Sequence, residues 1–254
     1  MSENSEILGK KVFFLYPSAV VQNRITEELI QQEFEVYTVK DHARLRKLLA
    51  KYPDSIVFAN IFDGMTEKEW EAWIRGVLSD TSTSNVKIGI MSAGDDEALK
   101  RKYINEVKIP CGYIAIKTDL NVAMKQLFDT LRTVDAKGRR KYIRAVIDSE
   151  ANTTVNFPNH GTFVHGSIKD ISVVGFSCHF DEDPNFPKNS LHQDIQIKLQ
   201  TNILKAEGIV FGSRMDGNTK IYVVLFTQRI DPDTRARIRR YIQSNLQTKL
   251  ESEL

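Results

Sequence analysis

Two hydrophobic periods divide this chain. As far as about residue 136, short uninterrupted apolar runs alternate with longer stretches that repeat at helical spacing. Residues 11–18, 34–39, 55–62, 86–92 and 112–116 read as buried strands. Between and after them, 20–32, 41–51, 67–78, 95–106 and 119–136 read as helices, with Asp41 placed to cap the second. Five strand–helix repeats predict a doubly wound parallel sheet covered by helices on both faces.

Beyond residue 142 the apolar residues alternate instead, and Pro, Asn, Asp and Gly interrupt them. The stretch 168–180 puts Val174, Phe176, Cys178 and Phe180 on one face. Ile195, Ile197 and Leu199 repeat the pattern, as do Ile221, Val223 and Leu225. Asp216-Gly217 is a hairpin turn signal. Short antiparallel strands of this kind predict a small β-barrel. A polar run over 181–193 is a long loop within it. A closing helix follows from Pro232 to about Leu250, with Asp231 as cap and Pro232 in the first turn. Gly138 ends the helix before it, so the expected domains are 1–136 and 137–254.

At 254 residues the chain suits two domains, and 41% hydrophobic residues are enough for two cores. A net charge of +2 gives no bulk drive towards nucleic acid, and no helix-turn-helix pattern is visible. Cys111 and Cys178 lie far apart in apolar runs, as small buried hydrophobes in a reducing compartment do. The polar start Met-Ser-Glu-Asn-Ser-Glu is no signal peptide, and no run reaches the ~20 apolar residues of a membrane span. A cytoplasmic protein is expected.

Local charge changes this picture. Lys137, Arg139, Arg140, Lys141 and Arg144 cluster at the domain joint, and Arg235, Arg237, Arg239 and Arg240 form a second run, read as a solvated helix face. Arg140 and Arg144 stand four apart and are followed by Asp170-x-Ser172-x-x-Gly175. Guanidinium forks match phosphate oxygens and the O6/N7 edge of guanine, while the second motif adds a carboxylate acceptor, a hydroxyl and a glycine that permits close backbone approach. Either half alone is commonplace: a basic surface, or a strand turn with local Asp and Ser hydrogen bonds. In order, with a barrel pattern after them, they suit a ligand rich in guanine and phosphate.

Here the chain resembles the PilZ family of cyclic di-GMP receptors, whose signature is RxxxR followed by [D/N]xSxxG. The resemblance covers roughly the last 115 residues. It implies that Arg140 and Arg144 grip guanine edges and phosphates, with Arg139 flanking or stacking on a base. Asp170 would accept from the guanine N1/N2 edge, Ser172 would contact phosphate or base, and Gly175 would allow the tight backbone beside them. The arginine segment would be a mobile arm that wraps over ligand resting on the barrel.

The first half resembles a receiver domain of two-component signalling without its chemistry. Asn60 stands where the nucleophilic aspartate is needed, and Tyr16-Pro17-Ser18 follows the first strand in place of an acidic pair. Ser92 and Lys117 occupy the switch positions. Asp63 and Asp54 are the remaining acceptor candidates. His160, His165, His179, His192 and Cys178 lack metal-ligand spacing, 93–96 is no phosphate loop, and no nucleophile constellation stands out. Trp70 and Trp73, three apart, read as core unless one is partly exposed and marks a partner site.

The expectation is therefore a non-enzymatic receptor with no metal and no cofactor beyond its ligand, cyclic di-GMP. Ligand would order the arm and change the arrangement of the domains to regulate a protein partner in motility, adhesion or a similar process. A homodimer fits the same outline, and DNA is disfavoured. The alternatives are a nucleotide-independent adaptor acting through the receiver-like domain, and a working phosphoreceiver.

Overall fold

A computed structural model describes residues 9–94, 96–116, 119–148, 153–159 and 161–253. The N-terminal hexapeptide, Asp95, Lys117 and His160 lie outside the described residues. The chain divides into two compact units: one runs to Lys141 and takes in the chain from Leu250, the other is Tyr142–Lys249.

In the first unit β1 (Val12–Leu15), β2 (Val36–Val39), β3 (Ile56–Ala59), β4 (Lys87–Ser92) and β5 (Tyr113–Ala115) form one parallel sheet in the order β2-β1-β3-β4-β5. This is the order of doubly wound, flavodoxin-like sheets. β1 and β3 are buried at every position, which explains their unbroken apolar sequences VFFL and IVFA. A π-wound turn (Val21–Ile25) runs into α1 (Thr26–Gln31), and α2 (His42–Lys51), α3 (Glu67–Ser79), α4 (Glu97–Arg101) and α5 (Leu120–Thr133) follow. The predicted helix over 95–106 changes pitch after α4, winding as a π-helix over Lys102–Val107. Local chemistry sets the starts. Asp41 accepts from the Ala43 and Arg44 amides, Thr66 and Glu69 make a reciprocal capping box, and Asp119 accepts from Asn121.

The second unit is antiparallel. β6 (Ala145–Val146), β7 (Thr153–Asn159), β8 (Thr162–Ser172), β9 (Gly175–Phe180), β10 (Leu191–Leu199), β11 (Asn202–Asp216) and β12 (Thr219–Phe226) run in the order β6-β8-β7-β10-β11-β12-β9. An added β8–β9 pairing closes six of them into a barrel and leaves β6 outside the ring. Val155, Phe157, Ile168, Ile171, Phe176, Cys178, Ile195, Ile197 and Val224 fill it. α6 (Pro232–Ser252) packs Ile238, Tyr241 and Ile242 into the same cluster, and Asp231 accepts from the Thr234 amide at its start. The α6 arginines are only partly a solvated face: Arg237 and Arg240 are exposed, whereas Arg235 and Arg239 are half-buried.

Two strand expectations need correction. Residues 168–180 are not one run, because the chain turns at Val173–Val174 between β8 and β9. In β12 Tyr222 and Val224 belong to the barrel core, while of the three residues expected to face inward Ile221 is buried, Val223 half-buried and Leu225 exposed. Apolar residues occupy both parities of that strand, so alternation alone cannot choose its inward face. The loop after β9 also packs inward: Phe186 lies against Phe157, Phe180, His192 and Tyr222.

Candidate ligand-binding site

The site grows from the pairing of β6, β8 and β9. Ala145 pairs with Ile171 and is fully buried, so alternation turns Arg144 and Val146 to the outer face of the barrel wall. On β8, Ile168 and Ile171 point inward, and an irregularity between Ile168 and Asp170 fits the extra residue. Asp170 thereby joins the outer face, directly opposite Ser177 of β9.

Arg144 Nη1 donates to Asp170 Oδ1 at 3.3 Å, with side chains 46% and 21% exposed. The hydroxyl of Ser177 donates to Asp170 Oδ2. One carboxylate is thus oriented from both sides while part of its surface, and about half of the guanidinium, still meets solvent. Such a pair presents donors and an acceptor side by side, the arrangement that a guanine edge complements with O6/N7 acceptors and N1/N2 donors.

Ser172 has a local role. It is 3% exposed, its hydroxyl donates to the Gly175 carbonyl at 3.1 Å, and it accepts from the Val174 amide at 3.4 Å. These bonds shape the β8–β9 turn. Gly175 is fixed by contact: a Cβ there would lie 2.2 Å from the Val224 carbonyl oxygen and 3.0 Å from the Leu225 Cα. Only glycine lets β9 sit so close to β12.

The structure thus gathers Arg144, Asp170, Ser172 and Gly175 within the second unit. Arg139 and Arg140 are exposed residues of segment 137–141, which has neither helix nor strand and closes the first unit's main run. Sequence reasoning missed Ser177. Its signal was its place two residues beyond Gly175, hence on the same strand face as that glycine.

The corner of the first unit where a receiver would hold metal and phosphate is built differently. Asn60 Nδ2 donates to the Tyr16 carbonyl at 3.0 Å, and Asn60 Oδ1 accepts from the Phe62 amide. The Tyr16 ring fills the corner. It stands edge-on to Trp70, its hydroxyl meets His42 Nδ1 at 3.1 Å, and a Cβ at Gly64 would collide with it at 2.4 Å. Ser92 is buried and bonded to Gly94, while exposed Asp63 caps the Gly64 amide. Trp70 is buried and Trp73 half-buried against it.

Among the described residues no three His, Cys, Asp or Glu side chains are grouped to hold a metal, and no helix is long and apolar enough to cross a membrane. Both cysteines are free and buried, and burial pushes the Cys111 thiol up to about 12. Burial likewise lowers His179 and His192.

Comparison with known proteins gives a match of residues 138–244 to the PilZ domain family. No curated protein sequence matches the chain. Among solved structures, the PilZ domain with c-di-GMP of YcgR from Escherichia coli is 14% identical, covering 45% of this chain and 93% of that one at a TM-score of 0.36. The K. pneumonia MrkH–c-di-GMP complex is 16% identical over 46% of this chain and 56% of that one, at 0.38. The Bacillus subtilis inhibitor of motility, MotI/DgrA, is 16% identical over 41% and 49%, at 0.35. The chain therefore spans about half the length of these last two relatives.

Proposed function

From the premise that residues 138–244 of this chain are a PilZ domain, we propose that the protein is a cytoplasmic receptor for cyclic di-GMP, without catalytic activity of its own. One observation carries the reading. On the outer wall of the barrel Arg144 and Asp170 stand 3.3 Å apart beside the Gly175 turn, an exposed donor fork against a half-buried acceptor. Arg144 takes guanine O6/N7 or a phosphate, and Asp170 takes the N1/N2 edge. Ser177 keeps that carboxylate aimed, and Ser172 and Gly175 shape the turn beneath the ligand. Arg140, with Arg139 beside it, supplies the second guanidinium from segment 137–141.

Arg140 makes its charge-assisted contact with the ligand only when nucleotide is present. Ligand therefore selects one arrangement of the segment over others, and with it the presentation of the two domains to a protein partner. Control of motility or adhesion is the output that the PilZ resemblance implies for this reading.

Calorimetry of the full chain with cyclic di-GMP tests the reading. Wild type binds with heat. Arg140→Ala and Arg144→Ala each weaken binding by about 2 kcal/mol, roughly thirtyfold, through loss of a charge-assisted contact. Absence of heat at high micromolar nucleotide would leave the nucleotide-independent adaptor as the better account.

A further inference from the structure

The ligand site does not end at Gly175. Strand register carries its outer face onward across the barrel. Gly175 pairs with Leu225 of β12, Leu225 with Ile209 of β11, and Ile209 with Leu191 of β10. One step along, Asp170 pairs with Ser177 and Ser177 with Val223. Two parallel rows result. One holds the polar groups of the site and ends on Val223, and the other begins at the bare backbone of Gly175 and continues as exposed aliphatic side chains.

Leu225 is the side chain next to the polar cluster on that second row. It is 38% exposed although its strand is paired on both sides at this position. Its Cδ2 stands 3.2 Å from where a Cβ of Gly175 would be, so it leans over the glycine towards β8. Val223, half-buried, flanks it beside Ser177. The missing side chain at 175 therefore leaves a shallow apolar shelf, floored by backbone and walled by Leu225 and Val223, with Asp170 and Arg144 along one rim and Ser177 buried against Asp170.

A purine has two recognition surfaces. Its edge offers hydrogen bonds and its face is flat and apolar. Arg144 and Asp170 answer the edge, and the shelf answers the face. We propose that Leu225, with Val223 and the Gly175 backbone, is the platform on which one guanine of the ligand lies, and that Leu225 is a specificity-determining residue of this site. The inference rests on the receptor reading above and deepens it. Apolar surface buried under a base adds affinity in proportion to area, and a shelf closed to water strengthens the edge hydrogen bonds beside it.

The test is calorimetry of full-length wild type, Leu225→Ala, Leu225→Asp and Leu191→Ala with cyclic di-GMP, alongside thermal unfolding of each. Leu191 is an exposed member of the same row but three strands from Gly175, about 14 Å at ordinary strand spacing, so it lies beyond the reach of that base. The expected result is a loss of about tenfold for Leu225→Ala and a larger loss for Leu225→Asp, whose charge faces the phosphates, with Leu191→Ala unchanged. Contacts between the Leu225 methyl protons and guanine H8, read by nuclear Overhauser effect in the wild-type complex, are expected as well.

The outcomes separate the two readings. Wild type that binds, with Leu225→Ala binding equally well and no methyl–H8 contact, overturns the platform and leaves the receptor standing. Equal losses in Leu225→Ala and Leu191→Ala also overturn it, since both then report a general change in the wall. Wild type that does not bind removes receptor and platform together. Because both side chains are exposed, unfolding midpoints close to wild type are expected throughout, and a binding loss matched by a lowered midpoint counts against a direct contact.

Discussion

At Gly175 one absent side chain decides how closely β9 and β12 can lie. The atoms that a Cβ would strike, the Val224 carbonyl oxygen and the Leu225 Cα, are backbone of the partner strand and cannot rotate away. Gly175→Ala must therefore push the strands apart at the Leu225 pairing. Overpacking of this kind costs about 1–3 kcal/mol, and chemical denaturation is expected to show a loss of that size. A denaturation midpoint equal to wild type would mean the strands tolerate the extra carbon. The neighbouring residues divide by whether local sequence dictates them. Asp170, Ser172 and Gly175 are recognisable because their spacing is fixed by a turn only two residues long, Val173–Val174. Ser177 and Leu225 were hidden. Ser177 follows from the register of that turn, which sets it opposite Asp170, but only once the turn itself is located; Leu225, the proposed platform, is brought to Gly175 by a pairing between residues that no local pattern connects.

Among the elements, the loop between β9 and β10 shows how a polar stretch can still build structure. Asp183 accepts from Lys220 at 2.9 Å and from the hydroxyl of Tyr222, a residue buried in the wall. These bonds to the Tyr222 hydroxyl and the Lys220 ammonium hold the Asp183 carboxyl at about 2, below its ordinary 3.8. Because the folded value is depressed, the stabilisation is fully present above 3.8 and is lost as pH falls through about 2. The carboxylate is largely exposed, which keeps the effect small. Asp183→Asn lacks it at every pH. The gap in thermal midpoint between wild type and this variant is thus expected to be constant at neutral pH and to shrink steadily below about pH 4. A gap that stays constant down to pH 2 would show that the ion pair contributes nothing there. The loop was visible in the sequence as a run of Asp, Asn and Pro, but its anchoring was not. Phe186 is a lone aromatic among polar residues, and its partners Phe157, Phe180 and Tyr222 come from three different strands. The parallel sheet was easier to read, because β1 and β3 are buried on both faces and their apolar runs need no choice of parity. β12, apolar at both parities, required that choice, and Tyr222 and Val224 turned out to hold the inner face.

For the whole molecule, the proposed receptor differs from a simple binding module in where its two arginines belong. Arg144 is held on the barrel wall by Asp170, while Arg140 lies four residues earlier in a segment with neither helix nor strand. A ligand that engages both must fix the backbone between them, and ordering those residues costs conformational entropy that the charge-assisted contacts have to exceed. Binding and arrangement are then linked by the contacts of one side chain. Small-angle scattering of the full chain is expected to show a change in radius of gyration on saturation with cyclic di-GMP. Arg140→Ala, saturated with excess nucleotide, is expected to show a smaller change, since Arg144 still binds but the segment is no longer drawn to the ligand. The two measurements separate affinity from arrangement. Identical scattering with and without nucleotide, under conditions where calorimetry shows the site filled, would reject the linkage while leaving the nucleotide site itself intact. A full-sized change in saturated Arg140→Ala would move the linkage to another residue of the segment, with Arg139 the next to substitute.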